Sequence, residues 1–547
     1  MTNVLQVRTV ECQPYQDQRP GTAGLRKKVT VFQQPDYLET FLEAIFQTVD
    51  FPRGATLVVG GDGRYLNEPS IQCIARMAAA HGFGRIVTGC KGLLSTPAAS
   101  ILIRQLDAAG GLLLTASHNP GGPDGDFGIK FNTATGGQAP ESLTEAIYQT
   151  SKRITRYQLA DIPDIDLGKP GELCFGEFCV EILDSTSRYA DSMEQLFDFD
   201  AISTWIGGKP RLCFDALNAV TGPYALEIFC KRLGAPRSSI LHAEPKPDFG
   251  GLHPDPNPVD AHHLVTLSQQ PDAPDLIAAS DGDGDRNMIL SPAGLVSPCD
   301  SIAIMLAHAK SIPGYRDEMP GVARSMPTSR AVDAVAAALG IDCYETPTGW
   351  RYFCNLLEAG LIGLCGEESF GTGSSHAREK DGLWAVLFWL NLLAIEDKSV
   401  AAIVNDHWQR YGRHYYQRED FFVPDADRAQ AVINALRDAI PQLPGQRIDG
   451  LTVECADDFH YHDPVDHSES AHQGIRLVFD DRSRIVYRLS GTGTSGATLR
   501  VYLERFTDDP ALLAQDPGHF LMPIGQRAMN IGRIREFTEL TEPSATI

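Results

Sequence analysis

Three features of the sequence predict an α/β protein of several domains that ends in a smaller α+β part. The chain has 547 residues, which is too long for one hydrophobic core and suggests about three to five domains. Strand-like and helix-like segments alternate along most of its length, and this alternation favours parallel or mixed sheets covered by helices. The last part instead has segments in which apolar and polar residues alternate, as is typical of a half-exposed antiparallel sheet.

The strand and helix pattern occurs in three successive sets. The predicted elements are strands at 56–59, 85–88, 112–115, 211–214, 276–279, 343–345 and 361–365, and helices at 70–81, 96–109, 224–233 and 331–339. Each of these four helices is followed by glycine, which favours a helix end. In the last part, the alternation predicts strands at 475–479, 484–489 and 497–503, with a helix at 427–439. Boundaries near Tyr189, Ser301 and Gly412 divide the chain into 1–189, 190–302, 303–412 and 413–547.

Composition and charge narrow the class of function. The chain is 43% hydrophobic, 21% charged and 8% aromatic, which argues against disorder and against a coiled coil. Its 47 basic and 70 acidic residues give a net charge of −23, so we expect neither a nucleic-acid partner nor an anionic membrane surface. An anionic small substrate would have to bind at local basic sites.

The sequence also favours a cytoplasmic protein. Residues 1–18 have no signal-peptide pattern, and the longest apolar run, 383–395, is interrupted by Asn391 and is shorter than the roughly 20 residues of a membrane span. We interpret this run as a buried helix. The 12 cysteines are scattered without a C-x-x-C pair, so we expect them to be reduced residues of the core.

The first candidate site is Ser117 in the segment 115–122, TASHNPGG, directly after an apolar run. A serine in such a turn often bonds its own backbone, so the residues alone leave open a turn residue and a nucleophile or phosphate carrier. The G-x-S-x-G pattern of serine hydrolases is absent around it. The adjacent His118 could donate to a phosphate, or it could be an ordinary surface histidine.

The second candidate site is the segment 281–286, DGDGDR, in which three carboxylates alternate with glycine. Alternate residues of an extended loop point the same way, so Asp281, Asp283 and Asp285 can converge on a cation. An EF-hand is excluded because Arg286 and Pro292 stand where that loop needs glycine and glutamate. Three oxygen ligands leave positions open, which suits Mg²⁺ shared with a phosphate; a solvated acidic turn is the alternative.

Two further segments carry polar groups. The segment 491–496, GTGTSG, matches G-x-G-x-x-G, but a strand-like pattern follows it, so it does not predict a dinucleotide site. With Arg488 before it and Arg500 after it, the loop can hold a phosphate, or it can be a plain hairpin. In the segment 366–371, GEESFG, Glu367 and Ser369 could bind sugar hydroxyls. Together these residues predict a Mg²⁺-dependent phosphoryl-transfer enzyme.

In combination these loops resemble those of the phosphoglucomutases, in the α-D-phosphohexomutase superfamily. The motifs that carry the resemblance are 21–28 (GTAGLRKK), 115–132 (TASHNPGGPDGDFGIKFN) and 378–387 (REKDGLWAVL). The form of these motifs and the chain length resemble the glucose-specific branch. The resemblance implies four domains around a central cleft, namely three related mixed α/β sandwich domains and a C-terminal α+β domain with an antiparallel sheet, each contributing one loop.

The resemblance also implies roles for individual residues. Ser117 would be the phosphoserine and would share Mg²⁺ with Asp281, Asp283 and Asp285. The residues expected around the transferring group are Arg26, His118, Lys130, Arg286 and Lys380, with Lys130 or Lys380 as the candidates for proton transfer. The residues expected to bind the rest of the substrate are Thr22, Thr348, Gly349, Glu367, Ser369, Arg488, Ser490, Thr492 and Arg500.

The implied reaction is the reversible interconversion of glucose 1-phosphate and glucose 6-phosphate. The phosphoserine would donate its phosphoryl group, and glucose 1,6-bisphosphate would be both intermediate and activator. The expected partners are small sugar phosphates, with the protein a monomer or weak dimer. The alternatives are a relaxed phosphohexomutase that also uses mannose phosphates and a non-catalytic phosphoprotein of the same family. Three positions depart from the expected pattern, Ala23, Arg351 and Ser375, and they put sugar preference in question.

Overall fold

The computed structural model describes residues 5–21, 23–208, 211–317, 319–490 and 496–547, which build three mixed sheets, one seven-stranded antiparallel sheet and two separate antiparallel strand pairs. The elements of the first part are β1 (Val7–Glu11), β2 (Leu25–Lys28), α1 (Val29–Phe32), α2 (Tyr37–Thr48), β3 (Thr56–Gly61), α3 (Asn67–Ala80), β4 (Arg85–Gly89), α4 (Thr96–Gln105), β5 (Gly110–Leu114), β6 (Asp126–Thr133), α5 (Glu141–Ser151), β7 (Arg156–Ala160), β8 (Gly171–Phe175) and β9 (Phe178–Leu183). Its seven-stranded sheet has the order β2-β6-β5-β3-β4-β9-β8, while β1 and β7 pair separately. The central strands β5, β3, β4 and β9 are parallel, and both edges are antiparallel.

The second part repeats this plan on a smaller scale. Its elements are α6 (Ser185–Glu194), α7 (Phe199–Ile206), β10 (Leu212–Asp215), α8 (Thr221–Ala225), β11 (Ile240–Leu241), α9 (His262–Ser268), β12 (Leu276–Ala279), β13 (Met288–Ser291) and β14 (Gly294–Leu295). The sheet order is β11-β10-β12-β13-β14, in which β10 is parallel to both of its neighbours and β12 pairs antiparallel with β13. A π-helical segment, Leu226–Arg232, continues α8.

The third part has a four-stranded sheet of the same kind. Its elements are α10 (Pro298–His308), β15 (Gly321–Ser325), α11 (Ala331–Leu339), β16 (Asp342–Thr346), α12 (Trp350–Glu358), β17 (Leu364–Glu367), β18 (Gly371–Ser374), α13 (Gly382–Glu396) and α14 (Val400–Tyr411). The order is β16-β15-β17-β18, with only the last pair antiparallel.

The last part is built on a different plan. Its elements are β19 (Arg413–Val423), α15 (Ala426–Ala439), β20 (Arg447–Ile448), β21 (Leu451–Asp458), β22 (Tyr461–His462), β23 (Glu469–Ser470), β24 (Ile475–Phe479), β25 (Arg484–Ser490), β26 (Ala497–Thr507), α16 (Pro517–Ile531), α17 (Ile534–Thr538) and β27 (Ala545–Thr546). The seven strands run β20-β21-β24-β25-β26-β19-β27, and all described pairs are antiparallel. The predicted change from mixed to antiparallel sheets is therefore confirmed.

The three mixed sheets place one loop each at the same topological position. In each sheet the last parallel strand turns back into an antiparallel neighbour, as β5 does into β6, β12 into β13 and β17 into β18. The loops at these three turns are the segments 115–125, 280–287 and 368–370. These segments contain the predicted serine, the three aspartates and Ser369, so the repeated fold presents chemically different side chains from equivalent positions.

The buried side chains of helix α13 belong to the largest core cluster. Its side chains Trp384 and Trp389 are completely buried, and the helix packs against α7. Asn391, the polar residue that interrupts the apolar run, is also completely buried, and its Oδ1 accepts a hydrogen bond of 3.0 Å from the backbone N–H of Asp198. The predicted buried helix is confirmed. No helix among the described residues is long and apolar enough to cross a membrane.

Two predictions of local structure need correction. The helix predicted at 96–109 ends at Gln105, because Asp107 has a left-handed backbone (φ 47°) and the chain enters β5 at Gly110. The expectation that all cysteines are reduced is wrong for Cys174 and Cys179, which form a disulfide. These two residues lie directly opposite each other in the β8–β9 hairpin, with Cα atoms 4.1 Å apart, and their spacing in the sequence gave no signal of that register.

Candidate active site

The turn after β5 places Ser117 in a buried and conformationally restricted position. Ser117 is only 2% exposed, and its backbone lies in the left-handed region, with φ 51°. The backbone N–H of Ser117 donates to Thr115 Oγ1 at 2.7 Å, and that hydroxyl donates to Asp62 Oδ2 at 2.6 Å. A non-glycine residue in this conformation is held there by its surroundings, which is common at functional sites.

Arg64 holds the serine turn in place through a buried ion pair and hydrogen bonds to backbone carbonyl groups. Its completely buried guanidinium pairs with Asp62, with Nε 2.9 Å from Oδ2, and its Nη2 donates to the carbonyl oxygen of Ser117 at 2.7 Å. Nη1 donates to the carbonyl oxygen of Asp126 at 2.8 Å, so one side chain ties both ends of the turn together. Sequence reasoning missed this pair. The available signal was a charged, glycine-rich segment, 60–64, directly after a buried strand.

The loop after β12 brings the three predicted aspartates together beside Ser117. One carboxylate oxygen from each of Asp281, Asp283 and Asp285 lies within 4.8 Å of the others, and all three residues are buried. Ser117 Oγ donates to Asp281 Oδ2 at 2.7 Å. The other oxygen of Asp281 accepts from the backbone N–H groups of Asp285 and Arg286 at 2.9 and 3.0 Å. The structure therefore brings together a serine and an acidic group that are 164 residues apart.

The chemistry of these carboxylates fits a divalent cation. The Oδ1 atoms of Asp283 and Asp285 are buried and have no hydrogen-bond partner among the described residues. Burial, together with the negative charges of Asp285 and Asp283, raises the pKa of Asp281 well above its usual range. Buried carboxylates with free oxygens cost several kcal/mol unless a cation pairs with them, and oxygen-only ligands suit a hard cation.

Asp283 is also held by the first part of the chain. Thr96 Oγ1 donates to Asp283 Oδ2 at 2.7 Å, and the backbone N–H of Thr96 donates to the carbonyl oxygen of Asp283 at 2.9 Å. Burial alone would raise the pKa of Asp283, but Lys130 and the Thr96 hydroxyl lower it to about 2. This carboxylate is therefore ionised at neutral pH. Thr96 is another residue that the sequence analysis did not identify, since nothing near it in the sequence is acidic.

The two glycines of the acidic segment have structural reasons to be glycine. A Cβ on Gly282 would lie 2.3 Å from the carbonyl oxygen of Ser117, closer than real Cβ atoms approach any atom. Gly284 has φ +81°, and a Cβ there would lie 2.9 Å from Thr221 Cγ2. The first glycine thus permits contact between the acidic loop and the serine turn, and the second permits the left-handed backbone that curls the loop.

Positively charged side chains lie around the same place. Lys380 Nζ is 3.2 Å from Asp285 Oδ2, and Lys130 Nζ is 3.8 Å from Asp283 Oδ2. Arg286 donates from Nη1 to Asp255 Oδ1 at 3.2 Å. The Nε atoms of Arg26 and Arg286 are buried without a hydrogen-bond partner among the described residues. Unpartnered buried N–H donors beside lysines make this a place that favours an anion such as phosphate.

His118 and Lys380 differ in their protonation. Burial, followed by the positive charges of Arg286, Arg26 and Lys380, lowers the pKa of His118 well below its usual value. Burial alone would also lower the pKa of Lys380, but Asp285 and Glu367 raise it above its usual value. At neutral pH His118 is therefore neutral, whereas Lys380 carries a proton. His118 Nδ1 lies 3.4 Å from Ser117 Oγ.

Lys130 is held by a buried carboxylate that the sequence analysis did not single out. Its Nζ lies 3.5 Å from Glu379 Oε1, and Glu379 is completely buried. Asn132 Nδ2 and Gln138 Nε2 donate to the two carboxylate oxygens of Glu379 at 2.9 and 3.0 Å. Glu379 thus links the strand β6 to the loop before α13, and it fixes the position of the Lys130 ammonium group.

The predicted sugar-binding residues lie at the end of β17 and in the loop before α12. Glu367 is 6% exposed, and its Oε1 accepts from the backbone N–H of Gly349 at 3.2 Å. Thr348 Oγ1 is buried without a hydrogen-bond partner among the described residues, and Ser369 is half-buried in the turn that follows Glu367. Burial raises the pKa of Glu367. The structure therefore brings Glu367 and Gly349 into contact.

The predicted phosphate-binding loop is only partly described. Arg488 and Arg500 are directly opposite each other in the β25–β26 ladder, and Ser490 ends β25. Arg488 donates from Nη1 to Tyr502 OH at 3.2 Å, and Arg500 Nε lies 3.6 Å from Asp420 Oδ1. Two predicted residues, Thr22 and Thr492, lie outside the described residues.

The three departures from the expected motifs occupy different environments. Ala23 is half-buried in the turn before β2. Arg351 donates from Nη2 to Glu141 Oε2 at 2.7 Å and lies over the ring of Tyr352. Its guanidinium group therefore already has two partners within the protein. Ser375 is exposed, and its carbonyl oxygen accepts from Arg378 Nη1 at 2.8 Å.

Comparison with known proteins covers almost the whole chain. Models of the phosphoglucomutase/phosphomannomutase α/β/α domains I, II and III match residues 17–158, 187–294 and 298–411, and the model of the phosphoglucomutase-1 C-terminal domain matches residues 413–544. The phosphoglucomutase of Rhizobium radiobacter is 53% identical over 538 residues, 98% of this chain and 99% of the relative. Phosphoglucomutase-1 of Homo sapiens is 49% identical over 560 residues, 99% and 100% of the two chains.

A solved structure agrees with these sequence matches. The open form of the Paramecium exocytosis-sensitive phosphoprotein pp63/parafusin, a phosphoglucomutase, superposes with a TM-score of 0.92 at 44% identity and covers 99% of both chains. These matches cover all four parts of the chain. The chain therefore belongs to the phosphoglucomutase/phosphomannomutase family, with its four-domain architecture around a central cleft.

Proposed function

We propose that this chain is a phosphoglucomutase that interconverts glucose 1-phosphate and glucose 6-phosphate through a phosphorylated Ser117. The observation that carries the proposal is the convergence of Ser117 Oγ on Asp281 at 2.7 Å, within a buried group of three carboxylates. Relatives about half identical along the full length are named phosphoglucomutases, which supports the same activity here.

The chain's own residues account for how the phosphoryl group would be held. Hydrogen bonds from Arg64 and to Thr115 fix the turn and thereby the position of Ser117 Oγ. The buried Nε–H groups of Arg26 and Arg286 can donate hydrogen bonds to the oxygens of the transferring phosphoryl group. In the proposed reaction, the phosphoserine gives its phosphoryl to the free hydroxyl of the sugar phosphate, and the intermediate turns over. It then returns its other phosphoryl to Ser117.

Asp281, Asp283 and Asp285 would hold a Mg²⁺ ion. Bound there, the ion would stabilise the negative charge on the oxygens of the transferring phosphoryl group. The oxygen-only ligand set and the partner-free Oδ1 atoms of Asp283 and Asp285 suit a hard divalent cation such as Mg²⁺. Glucose 1,6-bisphosphate would serve as intermediate and as the activator that restores phosphoserine.

Proton transfer is assigned to the two lysines beside the acidic loop. The sugar hydroxyl that accepts the phosphoryl loses a proton, and Ser117 Oγ gains one when it becomes the leaving group. Lys380 carries a proton at neutral pH and is 13% exposed, so it can donate to a leaving oxygen. Lys130 is 3% exposed and lies between Asp283 and Glu379. The variants Lys380→Gln and Lys130→Gln would each lower kcat by about 10²- to 10⁴-fold if the lysine takes part.

The remaining predicted residues would bind the parts of the sugar phosphate that do not react. We propose that Glu367, Ser369, Thr348 and Gly349 contact sugar hydroxyls. We propose that Arg488, Ser490 and Arg500, with Thr22 and Thr492, contact phosphate. In this scheme the four domains, 1–189, 190–302, 303–412 and 413–547, each supply one loop to the cleft.

The first experiment measures conversion of glucose 1-phosphate to glucose 6-phosphate with Mg²⁺ and a trace of glucose 1,6-bisphosphate. Rapid turnover is expected, and it should collapse in Ser117→Ala. Folded wild-type protein without turnover would contradict the proposal. Mannose 1-phosphate at equal concentration tests whether the enzyme is relaxed in its sugar preference.

A further inference from the structure

A second cluster of metal-ligating side chains lies outside the candidate active site. It consists of Asp215, His242 and His263, and we refer to it as the histidine cluster. His242 Nδ1 lies 2.9 and 3.0 Å from the two carboxylate oxygens of Asp215, and His263 Nε2 lies 2.7 Å from Oδ2. One ligand atom from each residue lies within 4.8 Å of the others. Three elements supply the ligands, since Asp215 ends β10, His242 follows β11 and His263 is in α9.

No lysine or arginine among the described residues forms an ion pair with the Asp215 carboxylate. The residue is completely buried, and its Oδ1 also accepts from the backbone N–H of Leu217 at 2.8 Å. Within the described part of the chain, the only side chains that pair with this carboxylate are the two imidazoles. A buried carboxylate is costly unless it is hydrogen-bonded or paired with a cation, and a divalent ion held together with the two imidazoles would pair with it directly.

The two histidines leave the cluster accessible. Their side chains are 40% and 39% exposed, so an ion can reach the cluster and water can complete its coordination. Two imidazole nitrogens and one carboxylate oxygen form a ligand set typical of zinc sites, with ligand atoms about 3.3 Å apart around a tetrahedral ion. The separations of 2.7–3.0 Å require only a small outward movement of half-exposed rings.

We propose that the histidine cluster is a second metal site of this protein and that it binds a divalent ion of the zinc class. The nitrogen ligands distinguish it from the oxygen-only group of Asp281, Asp283 and Asp285, which suits Mg²⁺. The two sites would therefore select different ions from a mixture. On binding, each imidazole nitrogen that faces the carboxylate gives up its proton to solvent and donates its lone pair to the ion.

The cluster is connected to the serine turn through one loop. The carbonyl oxygen of His242 accepts from the backbone N–H of Asn218 at 2.9 Å, at the start of the segment 242–248. Near the end of that segment, the carbonyl oxygen of Pro247 accepts from the N–H groups of Gly122 and Tyr65, both at 2.9 Å. Gly122 belongs to the turn that carries Ser117. An ion at the histidine cluster would stabilise the segment 242–248 and thereby the hydrogen bond from Gly122 of the serine turn to Pro247.

The test is a titration of the full chain with Co²⁺ while excess Mg²⁺ occupies the oxygen-only site. Four-coordinate Co²⁺ with nitrogen ligands absorbs strongly in the visible range, so the readout does not depend on activity. We expect one equivalent to produce this absorption, and Zn²⁺ to displace it. His242→Asn and His263→Gln should each weaken binding by at least about tenfold. The matched control is His262→Gln, an exposed histidine that is not part of the cluster and should leave binding unchanged.

Several outcomes would overturn the proposal. These are absence of the absorption in the wild-type protein, unchanged affinity in both cluster variants, or a sulfur-to-cobalt charge-transfer band, which would place the ion at cysteine. If a variant does not fold, modification of the unchanged protein with diethyl pyrocarbonate decides the question. Protection of His242 and His263 by Zn²⁺ supports the site, and modification at an unchanged rate contradicts it.

Discussion

Substitution of Gly282 by alanine tests whether the acidic loop must touch the serine turn. The new Cβ would lie 2.3 Å from the carbonyl oxygen of Ser117, whereas real Cβ atoms essentially never come within 3.0 Å. The two loops must therefore separate by at least 0.7 Å, because the obstacle is backbone rather than a flexible side chain. A misplacement of about 1 Å between reacting groups can cost about 10²-fold in rate. We expect kcat/KM to fall by about 10²-fold, equivalent to about 2.7 kcal/mol.

The assay couples formation of glucose 6-phosphate to its oxidation by NADP⁺, at saturating Mg²⁺ and glucose 1,6-bisphosphate. Gly208→Ala is the matched control, since the nearest atom to its new Cβ is 4.0 Å away and its φ is not left-handed. The control should retain wild-type kcat/KM. Folded Gly282→Ala protein with kcat/KM within about threefold of the wild type would refute the argument that this contact positions Ser117.

Three further predictions concern the supports of the site and the stability of the last domain. Arg64→Met leaves the buried carboxylate of Asp62 without its ion pair, so the free energy of unfolding measured in urea should fall by about 3–5 kcal/mol. A loss below about 1 kcal/mol would contradict the stabilising role of Arg64. Thr96→Val removes the hydroxyl that donates to Asp283 at 2.7 Å, so the Mg²⁺ concentration for half-maximal activity should rise about 10- to 100-fold, and an unchanged value would count against this role. Burial alone would raise the pKa of Glu504, but Arg484 holds it well below its usual 4.5. A carboxyl group whose pKa is depressed in the folded state stabilises the fold at pH values above its unfolded-state pKa, and this contribution is lost on acidification. The difference in unfolding free energy between the wild type and Glu504→Gln should therefore shrink as the pH falls from about 6 to about 3. A difference that does not change with pH would refute this role of Glu504.

The sequence predicted the site better where chemistry is concentrated in one segment. The three aspartates of 281–286 lie within six consecutive positions, and the structure shows their carboxylates together. The roles proposed for Ser117 and for the lysines depended on the family resemblance, because a serine before Asn-Pro-Gly also fits an ordinary turn. Family membership is shown by the comparisons, while the individual roles await the variants described above.

Residues that act through another residue were not predictable from local sequence. Thr96 lies in a segment without charge, yet it donates to Asp283, 187 residues away. Glu379 lies in the motif 378–387, but only the fold shows that it is buried and that its carboxylate lies 3.5 Å from Lys130 Nζ. The disulfide between Cys174 and Cys179 depends on cross-strand register, and register is set by the packing of the whole sheet.

The sequence by itself determined the alternation of strands and helices, the change to an antiparallel sheet at the end, and the types of chemical group in each loop. These properties follow from hydrophobic periodicity and from side-chain chemistry, which are local. The tertiary structure decided which loops meet and which buried charges are paired. Arg64, Asp62 and the Ser117 turn come together because β3 and β5 are parallel neighbours, so their carboxyl ends lie at one edge of the sheet. Contacts of that kind depend on strand order, which periodicity alone does not specify.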